Sequence, residues 1–176
     1  LKALDSSFLD IGIIDDYLIS EEYLKKNLSR RFIFVDRDNT LNIDNGYTYK
    51  VKDLKIIKEN IDLINFLKNE MTVIIVVSNQ SGVARKLYTE DELINFNLAL
   101  SKEMLSLGID LLGFYCCLHH PEFNGYCECR KPKPGLLNEI DKDWLVDKKS
   151  SLMIGDSTSD IIAGESFGVH SIRVHN

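Results

Sequence analysis

The sequence predicts an α/β fold in which a parallel sheet carries helices on both faces. Three observations predict it. Short runs rich in β-branched residues recur from residue 31 onward, stripes of helical period lie between them, and polar clusters bearing carboxylates follow the ends of the runs.

The first run is Phe32-Ile33-Phe34-Val35, and the others cover residues 72–77, 111–117, 151–154 and 169–174. They are mostly unalternating, so each reads as a strand buried on both faces. Between the first two, Ile61, Ile64 and Leu67 recur at helical spacing, which predicts a helix with a core-facing stripe. Leu93, Phe96, Leu100, Met104 and Leu107 predict a second helix in the same way. Thr89 with Glu92 three positions on is a capping-box pattern that starts this helix, and Gly108 stands where a helix C-terminus favours glycine. No internal repeat or low-complexity segment breaks the pattern.

Residues 1–30 read differently, with Asp-rich turns and one short helix expected over 20–27. They are expected to be a linker or an appended arm, with residues 31–176 as the main domain. The chain does not begin with Met, so it is expected to be part of a longer polypeptide or a processed one.

The chain has 176 residues, 44% hydrophobic and 27% charged, enough for one globular domain with a full core. No apolar run approaches the roughly 18–20 residues that span a bilayer, and the N-terminus lacks the order of a signal peptide. The expected location is therefore the cytoplasm, without membrane contact. A net charge of −6 argues against general nucleic-acid binding. A small anionic substrate remains compatible, provided a metal ion and a few cationic side chains reverse the potential locally.

The first strand runs into Asp36-Arg37-Asp38-Asn39-Thr40. In open α/β sheets ligands bind at the carboxyl ends of strands, and residues two apart in an extended chain share a side. Asp36 and Asp38 can thus meet one metal ion and one phosphate, Asp36 as nucleophile and Asp38 as the group that moves the leaving group's proton. An acidic turn capped by Thr40 is the plainer alternative. A second acidic cluster, Gly155-Asp156-Ser157-Thr158-Ser159-Asp160, follows the run at 151–154. Asp36, the Asp38 main-chain carbonyl and Asp156 make a suitable protein share of a Mg²⁺ site. Asp160 reads either as a supporting group behind these ligands or as a first-turn helix residue favoured by the dipole. Ser78, at the end of the run over 72–77, with the N–H groups of an expected helix start, suits phosphate oxygens. Lys131 supplies a fixed positive charge for the transferring phosphoryl group.

Asp36-x-Asp38-x-Thr40, Ser78, Lys131 and Gly155-Asp156-x-x-x-Asp160 resemble, in order, the four motifs of the haloacid dehalogenase superfamily. The resemblance spans residue 31 to the C-terminus. It implies a Rossmann-like sheet without a large cap domain and an aspartyl-phosphate formed on Asp36 and then hydrolysed.

All four cysteines lie between Cys116 and Cys129. Cys117-x-His119 and Cys127-x-Cys129 together provide three thiolates and one imidazole, a closed tetrahedral set for structural Zn²⁺. His120 is the alternative imidazole, and Cys116 reads as a strand residue. Arg130-Lys131-Pro132-Lys133-Pro134-Gly135 follows directly, so the zinc loop would aim two cations at the substrate.

This arrangement is similar to the branch of D-glycero-D-manno-heptose 1,7-bisphosphate phosphatases and the related histidinol-phosphatase domain. Asp44-Asn45-Gly46-Tyr47 and Asn79-Gln80-Ser81-Gly82-Val83-Ala84-Arg85 favour the heptose branch. The resemblance implies that Asp44, Asn45, Gly46, Tyr47, Ser78, Asn79, Gln80, Ser81 and Arg130 line the substrate pocket. Ser157 stands where that family often has Lys. A histidinol-phosphate phosphatase and a catalytically inactive binding module are the alternatives.

Residues 8–17, Phe-Leu-Asp-Ile-Gly-Ile-Ile-Asp-Asp-Tyr, resemble the closing segment of sugar-nucleotidyltransferases, with Ile14 in place of a usual Pro. That resemblance implies a fused or associated nucleotidyltransferase domain. It also implies removal of the 7-phosphate with a preference for the α anomer.

Overall fold

The computed structural model describes residues 29–175. The helix expected over 20–27 and the segment 8–17 lie outside the described residues. Five strands form one parallel sheet: β1 (Phe32–Val35), β2 (Val73–Asn79), β3 (Leu111–Cys117), β4 (Leu152–Gly155) and β5 (His170–Arg173), in the order β3-β2-β1-β4-β5. Helices α1 (Lys58–Leu67), α2 (Glu90–Ser106), α3 (Gly135–Trp144) and α4 (Thr158–Phe167) cover it.

Alternation along β1 divides the core. Phe32 and Phe34 point to one face, where Ile75 and Val77 join them under Leu136, Leu137 and Ile140 of α3 and Ala163 and Phe167 of α4. Ile33 and Val35 point to the other, packing with Ile74 and Val76 against Ile61 and Ile64 of α1 and Leu100 and Met104 of α2. Phe34 is fully buried and meets Phe167 edge-on at 5.8 Å. Truncating such a ring to Ala costs about 3–5 kcal/mol.

Thr89 caps α2 reciprocally with Glu92, and Gly108 follows the helix with φ +82°, a left-handed conformation glycine adopts without a Cβ penalty. Three expectations need correction. The outer strands are not buried on both faces: β3 and β5 lie at the sheet edges, and Leu112 is 47% exposed. Leu107 is not a core residue, because α2 ends at Ser106 and the side chain leaves the buried stripe. No helix starts behind Ser78; residues 81–86 form turns, with Arg85 N donating to Ser81 O, and α2 begins only after Thr89. Helices α3 and α4 were not apparent from periodicity.

The order 3-2-1-4-5 places the point where the winding reverses between β1 and β4. The crevice at their carboxyl ends is where such sheets bind ligands.

Candidate active site

Asp36 follows β1 and Asp156 follows β4, on either side of that crevice, and Asp36 N donates to Ile154 O at 2.8 Å. Asp160, in the first turn of α4, completes a group of three carboxylates whose oxygens lie within 4.8 Å of one another. Lys131 enters from the segment before α3, only 4% exposed. Its ammonium lies 2.6 Å from Asp36 Oδ1, 2.6 Å from Val77 O and 2.6 Å from Asp160 Oδ1, the last an ion-pair contact without hydrogen-bond alignment.

One cation thus faces three carboxylates. Burial pushes the Asp36 carboxyl up to about 7, against the lowering effect of Lys131 and with further raising by Asp160 and Asp38. Burial, then Asp160, raises Asp156 in the same direction. The excess negative charge on oxygen donors fits a hard divalent cation such as Mg²⁺. Gly155 is required for the approach, since a Cβ there would sit 2.4 Å from Asp160 Cβ, Cγ and Oδ2. Asp160 Oδ2 in turn accepts from Ser157 N and Ser157 Oγ, so the Ser157 side chain is engaged in capping α4.

The Asp38 carboxylate turns away from this group. Arg37, fully buried, donates to it through Nε at 3.0 Å and Nη2 at 2.9 Å, and Gln80 Nε2 donates to Asp38 Oδ2 at 2.8 Å. The Arg37 guanidinium sits 4.7 Å from the Phe96 ring centre and donates to Asn97 Oδ1 and Thr48 O. Arg37 was not singled out in the sequence. A cation between two acidic residues was the available signal, but chain spacing points it away from their shared side.

The expected pocket residues divide. Ser78 is buried and its Oγ accepts from Gln80 Nε2 at 2.8 Å. Gln80, 1% exposed, is held by Tyr88, whose hydroxyl donates to Oε1 at 2.6 Å. Ser81 is buried beside it. Asn79 pairs with the main chain of Lys131, donating to its O at 3.0 Å and accepting from its N at 3.1 Å. Asp44 Oδ1 accepts from Thr48 N and Asn45 N donates to Thr48 Oγ1, which closes a tight turn through Gly46 and Tyr47, both with positive φ. Arg130 Nη1 donates to His119 O.

Cys117, His119, Cys127 and Cys129 form the second cluster, their ligand atoms also within 4.8 Å of one another. Sγ–Sγ distances of 3.1 and 3.6 Å and a His119 Nδ1–Cys129 Sγ distance of 3.2 Å approach the edge of about 3.8 Å expected for tetrahedral Zn–S bonds. The donor set fits Zn²⁺. His120 is directed elsewhere, with Nε2 at 2.6 Å from Arg85 Nη2. Cys116 lies outside the cluster, and burial pushes its thiol up to about 11.

The chain is 38% identical over 140 residues to the D-glycero-beta-D-manno-heptose-1,7-bisphosphate 7-phosphatase of Pasteurella multocida, covering 77% of this chain and 76% of the relative. The enzyme of that name from Escherichia coli K12 is 37% identical over 143 residues, 78% of this chain and 74% of the relative. The family model described as HAD-hydrolase-like matches residues 128–176. The chain belongs to the haloacid dehalogenase-like phosphatase family. Among solved structures, this phosphatase resembles the D,D-heptose 1,7-bisphosphate phosphatase of B. bronchiseptica complexed with magnesium and phosphate. The TM-score is 0.72 at 25% identity, over 80% of this chain and 78% of that one. A HAD-like phosphatase of Mesorhizobium loti aligns with TM-score 0.76 at 26% identity, over 80% and 70%. The phosphatase has no helix among the described residues long and apolar enough to cross a membrane.

Proposed function

We propose that the chain hydrolyses the 7-phosphate of D-glycero-D-manno-heptose 1,7-bisphosphate in a Mg²⁺-dependent reaction through an aspartyl-phosphate on Asp36. The observation that carries the chemistry is the Asp36–Lys131–Asp160 contact beside Asp156 at the β1/β4 crevice. The names of the relatives support the sugar.

Asp36, Asp156 and the Asp38 main-chain carbonyl would hold Mg²⁺, with Asp160 alongside. Bound there, the ion would keep Asp36 ionised and would offset charge on the phosphate oxygens. The Asp36 carboxylate attacks phosphorus as the bond to the sugar oxygen breaks, and Asp38, once its carboxylate has turned from Arg37 toward the crevice and taken up a proton, gives that proton to the leaving oxygen. Water then attacks the phosphorus of the acyl phosphate. Its proton passes to Asp38, phosphate leaves, and Asp36 is restored. Lys131 stabilises charge on the transferring group. The four donors of the thiol cluster would hold a structural Zn²⁺ that fixes residues 117–131 and, through them, Arg130 and Lys131. Asp44 to Tyr47, Ser78 to Ser81, Arg130 and Ser157 serve the pocket, Asn79 and Gln80 chiefly by holding Lys131 and Asp38.

We further propose that the chain works in the cytoplasm and that residues 1–30 are a linker to, or remnant of, a sugar-nucleotidyltransferase domain. The relatives are named for the β anomer, in contrast to the α preference implied by residues 8–17, and the proposed substrate is accordingly the β anomer. The test is phosphate release from both anomers of the heptose bisphosphate, histidinol phosphate and fructose 1,6-bisphosphate, with Mg²⁺ and with chelator. Selective, Mg²⁺-dependent turnover of a heptose bisphosphate supports the reading. A preference for histidinol phosphate, or activity indifferent to chelator, overturns it.

A further inference from the structure

We infer that Arg85 is a positioning residue that clamps together the loops after three adjacent strands and so sets which phosphorylated sugars the site accepts. The inference rests on the phosphatase reading and concerns a residue outside the reacting groups. The loops at residues 44–49, 80–88 and 118–126 follow β1, β2 and β3, which are neighbours in a parallel sheet, so all three rise from the same carboxyl edge. Arg85 meets the other two from the middle one. Its guanidinium carbon lies 5.9 Å from the Tyr47 ring centre and 4.9 Å from that of Phe123, and Nη2 is 2.6 Å from His120 Nε2. His120 and Phe123 are themselves in edge contact at 5.2 Å.

A planar guanidinium suits this task because it can stack on rings and hydrogen-bond in its own plane at once, which an ammonium cannot. The arrangement also carries costs that packing alone does not explain. Arg85 Nε is buried with no hydrogen-bond partner, and Tyr47 is a non-glycine residue at φ +59°. Strain and unpaired donors of this kind concentrate where loops serve a site. Tyr47 remains 41% exposed and Phe123 53% exposed, so the clamp leaves two aromatic faces open to solvent at the rim. Its own base is rigid: a Cβ on Gly82 would lie 2.1 Å from the Tyr88 ring, and Tyr88 holds Gln80, which holds Asp38. The clamp thereby ties the rim to the reacting centre.

Two measurements test this. In Arg85→Ala, kcat/KM for the heptose bisphosphate should fall about tenfold or more through KM, while p-nitrophenyl phosphate, too small to span the loops, changes less than about twofold. Arg85→Lys keeps the charge but not the stacking, and should resemble the alanine variant. Equal losses on both substrates, or full activity in Arg85→Lys, would overturn the clamp. The second measurement needs no substrate: amide hydrogen exchange over residues 44–49 and 119–126 should rise about tenfold in Arg85→Ala at unchanged zinc content. Unchanged exchange overturns the inference. A failure of the heptose reading shows separately, as absence of heptose bisphosphate turnover by the wild type.

Discussion

Replacing Lys131 by Met is expected to destabilise the metal-free protein severely and to abolish turnover. The side chain is buried, and its ammonium is the cation between Asp36 and Asp160, at 2.6 Å from each. Methionine keeps much of the volume but leaves those carboxylates without their partner. Breaking a buried pair by removing one member costs about 3–5 kcal/mol. For a chain of this size each kcal/mol moves Tm by roughly 2–4 °C, so the expected drop is about 6–20 °C. The carboxylates can escape part of the loss by protonation, since Asp36 already lies near 7. Added Mg²⁺ should recover another part by binding the folded state. The assay is thermal and denaturant unfolding in chelator and in millimolar Mg²⁺. A variant within about 1 kcal/mol of wild type in chelator would refute the claim that Lys131 compensates this cluster.

Further outcomes are expected at the two metal-type clusters. Cys127→Ser and Cys129→Ser should each lower zinc content and Tm and reduce activity together, read by elemental analysis, calorimetry and phosphate release. Full activity without zinc would separate the thiol cluster from Lys131. Gly155→Ala should cost about 1–3 kcal/mol by overpacking, because Asp160 is anchored by Ser157 and Lys131 and has little room to give. It should also weaken Mg²⁺ dependence, measured by activity against Mg²⁺ concentration.

The strands were legible because each is a short apolar run between polar segments, and α2 because Thr89 and Glu92 announce its start. Helix α4 was obscured because its buried positions include Asp160 and Gly164 rather than a full apolar stripe. The clustered carboxylates Asp36 and Asp156 were legible from their place after β1 and β4. The partners of those groups were not. Asp38 with Arg37 and Gln80, Asn79 with Lys131, and Arg85 with His120 depend on loops brought together by sheet order, which no local pattern encodes. For the same reason, spacing favoured His119 over His120 without deciding between them, whereas the directions of their ring nitrogens distinguish the two.

The central claim is that Asp36 carries the phosphoryl group. Its most direct test is to quench turnover of the heptose bisphosphate with borohydride, which reduces an acyl phosphate to an alcohol, and to map the product by peptide mass spectrometry. The account predicts homoserine at position 36 when substrate and Mg²⁺ are both present, and none in Asp36→Asn, which should fold normally but release no phosphate. An unmodified Asp36 during turnover, a phosphorylated Ser78 in its place, or phosphate release by folded Asp36→Asn would contradict it.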